Sequence, residues 1–226
     1  LRRFYSWARY FEYDTGLFGQ LFSHEFDAIN QLLRLGIPSK VSATGGQYFY
    51  TEFGDIPDVL HTSFEYAEHG ATLTYSANLT SSINRPRTIY GRDACMTVGE
   101  DLTMTPHGRS EKYAGLIEQG LVDPSNPMLE ISRGATLTNA VDSVTSASVR
   151  YYASRGLTST FIDGIEWDVV SLHLKEWLDC IRHGGVPSSN IDMAYQEAVV
   201  LAMADISYRE QCHTSWDPIS RKIIRV

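Results

Sequence analysis

Three polar residues near the start of the sequence have the types and the spacing needed for proton transfer. Gln20, His24 and Asp27 follow a glycine-flanked apolar segment and lie four and three residues apart. Histidine titrates near neutral pH, so it can accept or donate a proton under physiological conditions. Ser23 is a suitable N-cap, so the pattern predicts that His24 lies at the start of a helix. Unpaired backbone N–H groups and the positive end of the helix dipole are found there.

Other kinds of active site find little support in the sequence. The seven histidines include no pair four residues apart with a glutamate between them, and the three cysteines have no spacing typical of a metal site. The motifs G-x-S-x-G, G-x-G-x-x-G and G-x-x-x-x-G-K are absent. We therefore predict no metal site, no serine hydrolase and no dinucleotide site of the usual kind. From these residues alone, a structural role for His24 stays open beside the catalytic one.

Composition excludes some classes of partner. The 226 residues carry a net charge of −8 and are 43% hydrophobic, which is ordinary for a soluble globular protein. Because there is no basic block, nucleic acid is not expected as a main partner. No apolar run approaches the roughly 20 residues that span a bilayer, so no membrane association is expected. The sequence begins at Leu1 without methionine. We expect the natural amino terminus to lie upstream, which leaves the compartment open between cytoplasm and export.

One helix is predicted to carry His24 and Asp27. Apolar residues recur at helical spacing over residues 24–35 and define an expected inner face, formed by Phe26, Ile29, Leu32 and Leu33. Gly36 is predicted to be the C-cap, with Pro38 beyond it.

Short strands are predicted to form the scaffold behind this helix. They cover residues 40–50, 59–66, 72–80, 87–91, 94–98 and 102–105. In residues 59–66, Leu60, Phe64 and Tyr66 share one face, and Gly45 with Gly46 indicates a bulge in the first strand. Short, closely spaced strands with one apolar face are typical of an antiparallel sheet covered on one side. The predicted class is α+β: an open, mostly antiparallel sheet with helices packed on one face.

Two further helices are predicted near the end of the chain. The first covers residues 169–182, with an inner face of Leu172, Trp177, Leu178 and Ile181. The second begins at Ser189 or Asn190, runs to about Gln211, and packs through a face of small and apolar residues, namely Ala194, Ala198, Leu201 and Ala202. Residues 137–155 are also predicted to be helical, with Ala140, Val144 and Val149 pointing inward.

The first 15 residues are rich in aromatic side chains interleaved with arginine. Such a mixture can stack on nucleic acid bases. The acidic total favours the other interpretation, which is that this segment packs on a neighbouring domain.

Several separate blocks of the sequence together resemble one known family. They are GLFGQLFSHEFD (16–27), NQLLRLGIP (30–38), ATGG (43–46), IPD (56–58), HLKEWLDCIR (173–182), NID (190–192) and SWDP (215–218). In order and spacing they resemble the C-terminal domain of Gfo/Idh/MocA oxidoreductases, and most of all a bacterial subgroup of it. The resemblance covers nearly the whole chain, so residues 1–226 are expected to form one such domain.

The resemblance implies that cofactor and substrate are bound mainly by different domains. An N-terminal Rossmann domain, which is not in this sequence, would bind NAD or NADP, and residues 1–15 would pack on it. The present domain would supply the substrate wall for a sugar, a polyol or a derivative. It would form a homo-oligomer through the open face of its sheet. His24 matches the family histidine that handles the proton of the substrate hydroxyl.

Gln20 departs from the family pattern, which has an aspartate at this position. Glutamine cannot accept a proton, but it can hydrogen-bond a sugar hydroxyl, so Gln20 and His24 are the predicted substrate-binding residues. The departure keeps two alternatives open. One is an NAD-dependent glycoside hydrolase of the same fold, and the other is a non-catalytic domain that dimerises through its sheet. Asp27 is predicted to brace the helix rather than to react.

Overall fold

The computed structural model describes residues 1–83, 85–98, 101–132, 160–162 and 165–226. The chain divides into two compact units. The first consists of residues 1–82 and 186–226, and the second of residues 83–185. That residues 1–226 form one domain stays a prediction.

Helices of three kinds occur in the described residues. The α-helices are α1 (Arg2–Tyr5), α2 (Ser23–Leu33), α3 (Ala114–Glu118), α4 (Val169–His183) and α5 (Ile191–Glu210). Short 3-10 turns cover Trp7–Arg9 and Ala67–His69, and a π-helical turn covers Phe18–Phe22. The first unit contains α1, α2 and α5, so the predicted His24 helix and the last long helix belong together.

The strands form three antiparallel sheets in the described part of the chain. In chain order they are β1 (Lys40–Gly46), β2 (Val59–Tyr66), β3 (Ala71–Asn78), β4 (Arg87–Tyr90), β5 (Ala94–Val98), β6 (Asp101–Pro106), β7 (Leu129–Ser132), β8 (Thr160–Ile162), β9 (Ile165–Trp167), β10 (Thr214–Asp217) and β11 (Lys222–Arg225). The first unit holds a five-stranded sheet in the order β11-β10-β1-β2-β3. The second holds a four-stranded sheet, β4 to β7, and the pair β8-β9. The α+β class is confirmed.

The prediction of a single sheet differs from this arrangement. Alternation in a sequence shows which residues share a face, but it does not show which strands are neighbours. The tail after α5 also contributes more than expected, since its two strands β10 and β11 extend the main sheet through pairing of β10 with β1.

The five-stranded sheet is covered on one face by helices. Along β2, Leu60, Phe64 and Tyr66 are buried as predicted, and the small Thr62 is buried on the same face. The residues that alternate with these four are exposed or half-buried. Val200 and Met203 of α5 lie in the same buried cluster. The opposite face is polar, with His61, Ser63 and Glu65 of β2 and Thr72, Thr74 and Ser76 of β3 exposed. The predicted location of helices on one face is confirmed for this sheet.

The inner face of α2 differs from the prediction. Phe22, Phe26 and Asn30 are buried, and their spacing of four residues places them on one side of the helix. Leu32 is 80% exposed because it lies off this side, and Leu33, the last residue of the helix, is also exposed. The helix ends at Arg34, which adopts a left-handed conformation (φ 54°) and donates its N–H to the carbonyl of Asn30.

Gly36, the predicted C-cap, lies beyond the end of the helix. Its N–H is bound by the side-chain oxygen of Asn30 at 2.8 Å. The cap was misplaced because Arg34, two residues earlier, already takes the left-handed conformation that ends the helix.

The inner faces predicted for the last two helices are wrong at most positions, although Leu172 and Ala202 are half-buried and Leu201 packs against the buried core. In α4, Trp177 is 51% and Ile181 is 63% exposed, and Leu178 is exposed as well. In α5, Ala194 and Ala198 are exposed, and the buried side is Val199, Val200, Met203, Ala204, Asp205 and Ser207. The second helix is apolar around most of its circumference, so its sequence period does not select a face. Of the two predicted starts, Ser189 and Asn190, the second is confirmed, since the Asn190 side chain caps the N–H groups of residues 192 and 193. The helix predicted over residues 137–155 lies outside the described residues.

The bulge predicted at Gly45 and Gly46 is absent from β1. Both residues pair in regular register with β2, Gly45 opposite Leu60 and Gly46 opposite Val59. A Cβ on Gly45 would lie 2.2 Å from the carbonyl oxygen of Val59. The glycine therefore allows two strands to approach closely, which is the other common role of glycine in a strand.

The amino-terminal segment is anchored on the first unit by Arg9 and Phe11. The backbone N–H groups of Asp55 and Ile56 donate to the Arg9 carbonyl, and the guanidinium of Arg9 lies 4.6 Å from the ring centre of Tyr50. The N–H of Phe11 donates to Asp55 at 2.7 Å. Five large side chains of the segment are exposed, namely Leu1, Phe4, Tyr5, Trp7 and Tyr13. That they pack on another domain stays a prediction.

Candidate functional site

A π-helical turn leads directly into the helix that carries His24. The N–H of Ser23 donates to the carbonyl of Phe18, five residues earlier, and the N–H of Gln20 donates to the carbonyl of Gly16. Ser23 has helical dihedral angles (φ −50°, ψ −49°), and its hydroxyl donates to the carbonyl of Gly19 at 2.6 Å. The predictions that Ser23 is an N-cap and that His24 starts the helix are therefore wrong. Helical hydrogen bonding already begins before Ser23, and no unpaired N–H group of a helix start lies at His24.

His24 lies in a cleft between α2 and α5. The cleft has a volume of about 280 Å³. Its lining residues come from three places: α2 gives Ser23, His24 and Asp27, the turn before α5 gives Ser189, and α5 itself gives Met193, Ala194 and Glu197. His24 and Asp27 are three residues apart, so the α-helix presents them on the same side. The structure thus brings His24 and Asp27 together, as their spacing predicted.

Gln20 is exposed and is not among the residues that line this cleft. In a regular α-helix, residues four apart lie one above the other. The π turn that precedes Ser23 means that the helical path from Gln20 to His24 is not regularly α-helical. The predicted role of Gln20 in substrate binding stays a prediction.

A buried hydrogen bond fixes the two walls of the cleft relative to each other. Asn30 is 2% exposed, and its Nδ2 donates to Oε1 of Gln196 at 3.2 Å. Asn30 lies one turn beyond Asp27 on α2, and Gln196 directly precedes Glu197 on α5. Since buried amides seldom remain unpaired, this bond sets the register of the helices and with it the position of Glu197 opposite His24 and Asp27.

The cleft carries two carboxyl groups in different surroundings. Both oxygens of Asp27 accept hydrogen bonds of 3.0 Å from Nε2 of Gln31, which agrees with the bracing role predicted for Asp27. Burial raises the pKa of Glu197, and the negative charge of Asp27 raises it further, while the charge of His24 acts in the opposite direction. Glu197 therefore protonates more readily than an exposed glutamate.

Glu197 was not singled out as a site residue from the sequence, although the surrounding composition marks it. It is the only charged residue in the stretch 193–204, which is otherwise apolar or uncharged. A single carboxylate in such a stretch of helix indicates a specific environment. Ser189 and Met193 carry no comparable signal, because their contribution depends on how α2 and α5 pack.

The described residues do not form a site for a metal or a dinucleotide. No group of three or more histidine, cysteine, aspartate or glutamate side chains in them is placed to hold a metal ion. All strand pairs among them are antiparallel, whereas the usual dinucleotide site needs parallel strands joined through a helix. Within the same residues, no helix combines the length and the apolar character required to cross a bilayer.

Comparison with known proteins gives a relationship in structure and none in sequence. No protein-family model matches the chain, and no curated protein sequence matches it significantly. Solved structures do match. The WlbA dehydrogenase from Bordetella pertussis, solved with NADH and UDP-GlcNAcA, superposes with a TM-score of 0.57 at 16% identity, over 94% of this chain and 51% of that one.

Two further neighbours are of the same kind. An oxidoreductase from Agrobacterium radiobacter, solved with NAD+, L-tartaric acid and magnesium, has a TM-score of 0.56 at 14% identity over 88% of this chain and 49% of that one. An NAD-binding protein from Listeria innocua has a TM-score of 0.55 at 12% identity over 93% of this chain and 54% of that one. At these identities the likeness establishes the fold. The chain spans about half the length of the solved oxidoreductases it matches, and these neighbours are of the Gfo/Idh/MocA type.

Proposed function

We propose that this chain is the substrate-binding and oligomerisation domain of an NAD(P)-dependent oxidoreductase of the Gfo/Idh/MocA type, acting on a sugar, a polyol or a derivative. The observation that carries the proposal is the position of His24, which lies in a polar cleft of a fold shared with half of several NAD-linked oxidoreductases. Two of these neighbours were solved with a nucleotide sugar or a hydroxy acid, which supports a hydroxyl-bearing substrate.

His24 would transfer the proton of the substrate hydroxyl. Its imidazole is exposed on the cleft, so a hydroxyl can approach within hydrogen-bonding distance, about 3 Å. The other polar lining groups are carboxyls and hydroxyls, which can accept hydrogen bonds from further hydroxyl groups of a sugar. Met193 and Ala194 supply a small apolar surface for the carbon skeleton.

The cofactor would be held by another part of the complete protein. The antiparallel sheets of the described residues offer no glycine turn between a parallel strand and a helix, so they do not fit NAD or NADP by themselves. We therefore assign no step of the reaction to a cofactor bound by this chain. The proposal requires a dinucleotide-binding domain elsewhere in the polypeptide.

The experiment is kinetic and uses the protein that joins this chain to its dinucleotide-binding domain. With NAD(P) and a panel of sugars and polyols, His24→Ala is expected to lower kcat/KM by about 100-fold or more. His213→Ala, which alters another exposed histidine, is the matched control and should leave the rate unchanged. An unchanged rate in His24→Ala would overturn the role of His24. Cleavage of aryl glycosides without net reduction of NAD would instead favour the glycoside hydrolase.

We also propose that the polar face of the five-stranded sheet forms a homo-oligomer. This face lies opposite the helices, and its exposed residues are mostly Ser and Thr side chains on neighbouring strands. Small side chains of this kind let two sheets approach closely. If the complete protein has no oxidoreductase activity, dimerisation through this face would remain as the function of a non-catalytic domain.

A further inference from the structure

Two carboxyl groups line the same cleft as His24, those of Asp27 and Glu197. Asp27 lies on the same helix and is engaged on both oxygens by Gln31. Glu197 lies on the facing helix, and among the described residues no hydrogen bond or ion pair shorter than 4.0 Å occupies its carboxylate. Glu197 is therefore the carboxyl group that is available to a partner in the cleft.

The position of Glu197 is set by the packing of α5 against α2. Met193, Ala194 and Glu197 line the cleft together, and their spacing of three and four residues places them on one side of α5. The neighbouring Gln196 is held by the buried Asn30. The Glu197 side chain is thus directed toward α2 by a fixed helix contact, and it is only partly exposed.

We propose that Glu197 is a positioning residue for His24: its carboxylate lines the same cleft and attracts the imidazole when the imidazole carries a proton. The proposal rests on the proposed function, because it assigns Glu197 a task in the same proton transfer. Gln20 cannot perform this task, since its side chain is uncharged and lies outside the cleft. The acidic partner of the histidine therefore comes from the far end of the chain rather than from the preceding turn.

The charges in the cleft support this pairing. Burial and the charge of Asp27 raise the pKa of Glu197, and the charge of His24 lowers it. The ionised carboxylate of Glu197 is thus favoured by the positive charge of a protonated imidazole in the same cleft.

The first test uses the 226-residue chain and does not depend on catalysis. The carboxyl carbon of Glu197 is followed by NMR from pH 3 to pH 8 in the wild type, in His24→Gln and in Asp27→Asn. At the acidic pH where a carboxyl titrates, imidazole is protonated, so His24→Gln should move the titration of Glu197 to higher pH. Asp27→Asn removes a negative neighbour and should move it to lower pH. An unchanged titration in a folded His24→Gln chain would overturn the pairing.

The second test measures the rate in the complete oxidoreductase. Glu197→Gln keeps the shape and removes the charge, and it is expected to lower kcat by about 10- to 100-fold with little change in KM. Glu197→Asp should recover part of the loss, which a purely structural role would not predict. In His24→Ala, the added Glu197→Gln should cost nothing further, because residues that act as a unit are not additive. Full additivity of the two losses would overturn the proposal.

The two tests separate the possible failures. If the titration of Glu197 moves in His24→Gln but the complete protein oxidises no alcohol, the proposed function is wrong and the pairing of Glu197 with His24 is supported. If His24→Ala abolishes oxidation while Glu197→Gln is fully active, the proposed function stands and the role of Glu197 is overturned.

Discussion

Asn30 and Gln196 form a side-chain hydrogen bond of 3.2 Å between residues that are 166 positions apart in the chain. Asn30 is buried, and its other side-chain atom accepts the N–H of Gly36 at 2.8 Å. One amide thus joins α2 to α5 and also closes the end of α2. The cleft that contains His24 lies one turn from this bond.

Asn30→Ala is expected to lower the free energy of unfolding by about 2 kcal/mol. The substitution leaves the N–H of Gly36 and the side chain of Gln196 without their partner at partly buried positions. Urea denaturation followed by circular dichroism measures the change. Leu32→Ala, two residues along the same helix at an exposed position, is the control and should change stability by less than about 0.5 kcal/mol. Equal effects of the two variants would show that the bond does not join the helices.

Asp58→Asn is expected to remove part of the acid sensitivity of the protein. Asp58 is 2% exposed and accepts hydrogen bonds of 2.7 to 3.2 Å from the backbone N–H groups of residues 48–50. Burial raises the pKa of Asp58, but these hydrogen bonds outweigh it and hold the pKa below its ordinary value of 3.8. A lowered pKa adds stability above the unfolded-state value, and this stability is lost as the pH falls through the folded-state value.

The measurement is urea denaturation of the wild type and Asp58→Asn at several values between pH 3 and pH 7. At pH 7 the variant should be about 2 kcal/mol less stable, because an amide has one oxygen to receive three N–H groups. At pH 3 the difference should shrink. Glu52→Gln removes a charge from an exposed position in the same loop and should show neither effect. A difference that stays constant with pH would contradict the lowered pKa of Asp58.

Gly45→Ala is expected to destabilise the first unit by about 2 kcal/mol or more. The added Cβ would lie 2.2 Å from the Val59 carbonyl oxygen and 3.0 Å from the Cα of Leu60, so the paired strands must separate. Thr44→Ala on the exposed side of the same strand should cost less than about 1 kcal/mol. Thermal and urea denaturation compare the two. A mild effect of Gly45→Ala would mean that the strands do not approach as closely as the structure indicates.

Arginine on the polar face of the sheet is expected to abolish the proposed oligomer. Ser63 and Thr74 lie opposite each other on β2 and β3, and both are exposed. The double variant Ser63→Arg, Thr74→Arg places like charges at the centre of an interface between two copies. Light scattering after size exclusion should show that the mass falls to that of a single chain, while Glu52→Arg keeps the wild-type mass. A wild type that is monomeric at all concentrations would refute the interface.

The sequence predicted local features well where the pattern depended on neighbours along the chain. The strands β2 to β6 and the cap at Asn190 were found because alternation and capping are local properties. The inner face of α2 was predicted correctly at Phe26 and wrongly at Leu32 and Leu33. Asn30 was missed because a buried polar residue does not count as apolar in a periodicity.

The sequence predicted only the wall of the candidate site that α2 forms. His24 and Asp27 lie together as their spacing indicated, but the opposite wall, with Glu197, depends on the packing of α5, and no local pattern encodes that. The π turn was also invisible, because a single additional residue in a helical turn leaves the apolar pattern almost unchanged. Phe18 and Phe22, the first and last residues of the turn, and Phe26 beyond it are all buried.

Because of the π turn, the loss of a single residue would change the surface beside His24. Removal of either Gln20 or Leu21, which are both exposed, would restore α-helical geometry and leave Phe18 and the present Phe22 three residues apart. An α-helix keeps such a pair on one side, so the interior would be conserved. Deletion of one residue at this turn would therefore replace the residue that lies one turn before the histidine, while α2 and the wall formed by α5 stay in place.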